Sequence, residues 1–180
     1  MINHFRNLLI LLLLVGCISK SSAQLDKKKV INGAKNLCES LIKQNWDEYK
    51  KYSPPKLFEL MGGLEKSKNY ITAQWNEGNE KGIRLKKVII DSCTKISKYK
   101  NEYQASLRIS FEYQTDSTII MTRSTIIAFT NDNGLNWFYL DTYNLPINQI
   151  YSYFPNINKD LTIFKKGEPV VTKKNKTNAQ

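Results

Sequence analysis

The chain has 180 residues, 41% of them hydrophobic, a formal net charge of +11 and a single histidine, His4. Its length and apolar fraction suit one domain with a core of its own. His4 lies inside an N-terminal stretch that reads as an export signal, so the mature chain has no imidazole. Ser-His-Asp and Cys-His catalysis and the usual zinc sites are thereby excluded. No cofactor motif and no metal-ligand spacing occurs, and acid–base chemistry falls to carboxylates, tyrosines and lysines.

The opening, MINHFRNLLILLLLVGCISKSSAQ, places one firm cation, Arg6, before an apolar run from Leu8 to Val15. That pattern predicts a signal peptide, and the run is far shorter than the roughly 20 residues that span a bilayer. Two cleavage sites compete. LVGC, ending at Cys17, resembles a bacterial lipobox, which would remove residues 1–16 and lipidate Cys17. The segment from Ser21 to Gln24 fits ordinary signal peptidase, which would remove residues 1–23. Either way the expectation is an exported protein of the periplasm, cell surface or outer membrane. Cys38 and Cys93 then remain, to pair with each other in an oxidising compartment or to stay as separate buried thiols.

From Leu25 to Gln44, Val30, Ala34, Leu37, Leu41 and Ile42 recur at helical spacing. Asn45 is placed to cap a second helix, WDEYKKYS, whose Asp47 and Glu48 suit a helix N-terminus. Pro54-Pro55 ends it and starts KLFELM. After Gly62-Gly63 comes a longer helix, LEKSKNYITAQWNEG, with Leu64, Ile71 and Trp75 along one side and its end at Gly78.

Beyond Ile83 the period becomes two. Arg84 to Lys98 predicts a first strand. In the next, Tyr103, Ala105, Leu107, Ile109, Phe111 and Tyr113 alternate with polar residues, as in a strand with one buried and one wet face. TIIMTRSTIIAF is a third strand with less clean alternation, fit to be covered on both faces, and NWFYLDT a fourth. Asn144 is placed to cap a short helix, LPINQIYSYF, ended by Pro155. Helices first and a meander after them predict an α+β fold: N-terminal helices, then a four-stranded antiparallel curved sheet, with the long first helix across its apolar face. The domain is expected to span residues 25–164, followed by a basic flexible tail over 165–180.

TNDNGLNW, Thr130 to Trp137, has the spacing of an Asp-box. A propeller needs several four-stranded blades, so a single box reads as a structural turn. Asp132 accepts backbone N–H bonds there, Gly134 supplies a positive φ, and Trp137 covers the corner.

YSPPKLFELMGGLEKSKNYI, the DNG-x-x-W hairpin and YFPNINKDLTI together resemble a group of uncharacterised exported bacterial proteins. The helix-then-sheet order is similar to the NTF2-like, or cystatin-like, superfamily. That resemblance implies a sheet curled around a helix, with a cone-shaped pocket in many members.

Two functions are compatible with these features. The first is a non-catalytic cell-envelope domain that binds a small ligand, a glycan or a protein partner, supported by Trp46, Trp75, Trp137 and many tyrosines. The second is an NTF2-like isomerase or dehydratase, which works without histidine or metal through a carboxylate and hydrogen-bond donors. Its candidate residues are Asp91, Asp141 and Tyr139. Asp141 is expected to serve as a cap where the fourth strand ends, and Asp91 to stay wet on an edge. The lysines of the first strand and the tail read as solvated charge, and nucleic acid is not an expected partner.

Overall fold

The computed structural model describes residues 25–143 and 145–174. The export signal, Cys17 with both cleavage sites, Asn144 and the last six residues of the tail lie outside the described residues.

Four helices come first. α1 (Lys27–Ile42) starts at Asp26, whose side chain accepts from the Lys28 N–H. α2 (Trp46–Tyr52) is capped by Asn45, which accepts from the Glu48 N–H at 3.2 Å. α3 (Pro55–Leu60) has proline in its first turn, where the missing N–H costs nothing. α4 (Leu64–Glu80) follows Gly62-Gly63, both at positive φ. It does not stop at Gly78 as the sequence reading has it. An isolated glycine is tolerated inside a helix, and the chain turns at Gly82, where the Ile83 N–H reaches back to the Gly78 carbonyl.

The rest is an antiparallel sheet of six strands: β1 (Arg84–Cys93), β2 (Ser97–Tyr99), β3 (Glu102–Gln114), β4 (Thr118–Thr130), β5 (Phe138–Asp141) and β6 (Val170–Lys173). β3 and β4 form its spine. β1 and β2 share the outer edge of β3, and β5 and β6 share the outer edge of β4. The expected count of four is therefore corrected to six, for two reasons. The first expected strand breaks after Cys93, where both the N–H and the hydroxyl of Thr94 bond to the Ser106 backbone and an extra residue enters the ladder. At the other edge, β5 covers only four residues of β4, which leaves its far half open to Val170–Lys173. That part of the expected tail is a strand.

Two bulges interrupt β1, at Lys86 and at Asp91. Each inserted residue bends a strand and raises its twist, which gives the sheet a concave face. On that face, Val30, Ala34 and Leu37 of α1 pack against Ala105, Leu107, Ile109, Ile126 and Ala128. The opposite face of β3 is not wet over most of its length, contrary to the alternation. There α5 (Ile147–Tyr153) and the chain after it bring Ile150, Phe154 and Ile157 onto Ile127 and Leu140.

Two polar clamps hold this cover. Gln104, fully buried, donates to the Asn156 carbonyl and accepts from the Asn158 N–H. The Thr125 hydroxyl pairs with both the N–H and the carbonyl of Phe164. Buried polar groups persist only when satisfied in this way. At Gln104 the polar half of the β3 alternation therefore bonds to chain, not to water.

Candidate functional site

A cavity of about 1170 Å³ lies between the concave face of the sheet and α4. Phe111 and Tyr113 of β3, Ile126 of β4 and Tyr139, Leu140 and Asp141 of β5 form its floor. Leu37 and Leu41 of α1, with Tyr49 of α2, close one wall. Its roof is α4, through Ile71, Gln74, Trp75 and Gly78. The site opens to solvent along that roof, where Tyr70, Gln74 and Asn79 are exposed.

α4 is an unusual roof. Of its 17 residues only Ser67 is buried, its hydroxyl donating to the Gly63 carbonyl. Two lateral contacts hold the rest: Trp75 meets Tyr49 edge-to-face at 6.2 Å, and the Gln44 and Asn79 amides bond reciprocally at 3.0 and 3.3 Å. Ile71 and Trp75 of its apolar stripe, which in other helices would pack into a core, line the cavity here.

Among the described residues, Asp141 is the only carboxylate in the cavity wall. Strand parity puts it on the same face as Tyr139. Its Oδ1 accepts from the Ser124 hydroxyl at 2.5 Å and from the Tyr143 N–H at 3.0 Å; Oδ2 receives no hydrogen bond among the described residues. Asp141 is an exposed residue of the concave wall, with protein packed densely behind its carboxyl. Burial pushes its pKa up, against those two hydrogen bonds and the nearby Lys166 ammonium. The expectation of an ordinary cap therefore needs correcting. Asp141 does cap the chain at Tyr143, and it also lines the pocket.

Tyr139 turns the other way. Its hydroxyl donates to the Val30 carbonyl of α1 at 2.8 Å, and its ring lies where Gly33 leaves room. Burial holds its phenol well above the ordinary range. Tyr113, also in the wall, is pushed up to about 12 by burial and by Asp141.

Asp91 is separate from this group. It occupies the second bulge of β1, accepts from the Ser110 hydroxyl at 2.7 Å and borders a smaller groove between α1 and β1. Cys38 and Cys93 border the same groove as two free, buried thiols. Burial raises both, Cys38 to about 12, which keeps them in the unreactive thiol form.

The Asp-box segment lies away from the cavity. Asp132 accepts from the Thr130 hydroxyl and from the backbone and side-chain amides of Asn136. Burial opposes its charge, and these bonds outweigh it, holding its pKa at about 2. Gly134 has φ +82°, and a Cβ there would sit 2.3 Å from a methyl of Leu25. Trp137 is buried beside it.

The residues missed in the sequence are Phe111 and Tyr113 in the pocket wall, with Ser124 and Gly33, which hold Asp141 and Tyr139 from behind it. Gly33 carried a usable signal, a glycine inside a strong helical pattern, which often marks close approach by another group. The chain matches no protein-family model, no curated protein and no solved structure.

Proposed function

We propose that this is a non-catalytic, exported cell-envelope domain that binds a small apolar ligand in the cavity under α4. The observation that carries the reading is the cavity itself, a mostly apolar volume with one carboxylate among its described lining residues. Natural ligand sites are of this kind, mostly apolar with a few placed polar groups. Its position, between a bent antiparallel sheet and the preceding helices, also supports kinship with NTF2-like domains, a likeness that bears on fold and carries no chemistry.

Titration with N-phenyl-1-naphthylamine, a neutral apolar fluorophore, tests it. Saturable enhancement is expected, and Ile71→Trp, which fills the roof side of the cavity, should weaken binding by about tenfold, equivalent to 1.4 kcal/mol. Absence of saturable binding to the folded wild-type protein would reject the proposal.

A second reading, the isomerase or dehydratase type, is favoured by one observation: Asp141 is a carboxylate in the pocket lining whose pKa is pushed up, as a general base needs. Against it, the Tyr139 hydroxyl is committed to Val30, so the donor role would pass to Tyr113. Recovery of bound ligand chemically unchanged after prolonged incubation supports binding; a shifted double bond or lost water would support the enzyme.

A further inference from the structure

Resting on the small-ligand reading above, we infer that the ligand is a single-chain amphiphile of the fatty-acid type. Its apolar chain lies under α4 and its anionic head group at Arg84 and Lys86. Charge around the cavity carries the inference. The described lining holds four cations, Lys43, Lys66, Arg84 and Lys86, against the one carboxylate of Asp141. Lys43 is paired with Glu39 at 3.1 Å, whereas Lys66, Arg84 and Lys86 form no ion pair among the described residues. Arg84 and Lys86 open β1 directly after the turn at Gly82, and both line the cavity while exposed to solvent. The paired Gln44 and Asn79 amides, which join the ends of α1 and α4, add polar lining. Neither of the neighbouring acids, Glu80 and Glu112, is in that lining; strand alternation turns Glu112 to the face opposite Phe111 and Tyr113.

Strand register then orients the ligand. Arg84 stands opposite Gln114 on β3, whereas Asp141 is level, through Ile126, with Leu107. From Leu107 to Gln114 is about 23 Å along a strand. That is more than two Debye lengths, each about 8 Å at physiological ionic strength. Asp141 is exposed, so its repulsion of an anion at Arg84 is screened. Phe111 lies between the two levels, and Ile71 and Trp75 roof the same cavity. An apolar chain gains its contact area there, while the head group stays hydrated at the exposed end and avoids the cost of burying a charge. The forked guanidinium of Arg84 suits a carboxylate or phosphate. A neutral ligand would leave both cations unused. An ammonium head group would be repelled by them, and the carboxylate at the far end already accepts from Ser124 and from the Tyr143 N–H.

The test is displacement of N-phenyl-1-naphthylamine, below micelle formation, by dodecanoate, 1-dodecanol and dodecylamine at about pH 8, where acid and amine are both charged. Dodecanoate should act at about tenfold lower concentration than dodecylamine, the difference between attraction and repulsion by two exposed cations. Dodecanol should fall between them. In Arg84→Gln/Lys86→Gln the acid-over-amine preference should drop to about twofold or less, while dodecanol, which reports an intact pocket, binds as before. Lys28→Gln/Lys29→Gln removes the same charge from the exposed start of α1, and Lys66→Gln removes a cation near the other end of α4; both should keep the preference. Tighter binding of the alcohol or the amine by wild-type protein overturns the inference. So does a preference that survives in Arg84→Gln/Lys86→Gln, or that falls as far in either control. Failure of the fluorophore itself to bind would instead reject the pocket reading on which the inference rests.

Discussion

Gly33→Ala places a methyl group where Tyr139 already sits. A Cβ at this position would lie 2.1 Å from the Tyr139 hydroxyl oxygen, 2.9 Å from Cζ and 3.1 Å from Cε2. Intrinsic helix propensity alone favours the change by about 1 kcal/mol. Against that stand overpacking, about 1–3 kcal/mol, and the Tyr139–Val30 hydrogen bond, whose loss in a buried setting costs about 1–3 kcal/mol. The net expectation is destabilisation of about 2–4 kcal/mol, read from urea midpoints at constant m-value. Tyr139→Phe should cost about 1 kcal/mol by itself. In the double variant the atom at 2.1 Å is gone and Cζ at 2.9 Å remains, so part of the loss should be recovered, leaving a coupling of at least about 1 kcal/mol. A Gly33→Ala protein more stable than wild type, or strictly additive costs in the double variant, would refute the contact between α1 and β5.

Asp132→Ala should destabilise by about 1–2 kcal/mol in thermal unfolding through loss of its turn hydrogen bonds, with no effect on fluorophore binding; unchanged stability would contradict the hairpin geometry. Because the folded pKa of Asp132 is depressed to about 2, its contribution is present above the unfolded value near 4 and disappears as pH falls through about 2, so the variant's deficit should vanish at the acid end. Asp141 has the reverse sign: its folded pKa is raised, the folded state holds the proton more tightly, and stability is lost as pH rises from about 4 through the folded pKa. Asp141→Asn should flatten that slope, and an unaltered pH profile would speak against a desolvated carboxyl. Cys38 and Cys93 should resist thiol reagents in the native protein and give two equivalents after unfolding without reductant; none after unfolding would mean that they are bridged.

The α+β order was legible because the hydrophobic period changes from helical to two near Ile83, and proline and glycine mark the joints. Asn45 and Pro55 could be placed from local chemistry alone, since a cap or a first-turn proline depends on its nearest neighbours. Apart from the helix end placed at Gly78, the misreadings were tertiary. Gln104, Ser106 and Ser110 alternate like a wet face, yet they are buried under a cover whose polar clamps cannot be seen along a single strand. Val170-Val171-Thr172 sits in a lysine-rich segment whose composition says solvent, but it pairs because β5 leaves half of the β4 edge open. An edge is a property of the assembled sheet, not of the segment that fills it.

The same limit explains why the cavity escaped notice. Leu64, Ile71 and Trp75 make a stripe at helical spacing, and a stripe that faces a core reads like one that faces a void. What differs is burial: Ile71 and Trp75 are only half-buried, and Ser67 alone is buried along α4. A helix that buries so little of its apolar side gains little from packing, and in water most helical stability comes from such packing. Residence of an apolar molecule in the cavity would supply the missing contact surface and join α4 to the floor of the sheet. On the ligand-binding proposal, ligand affinity and the stability of α4 are therefore linked quantities, and a change in one must appear in the other.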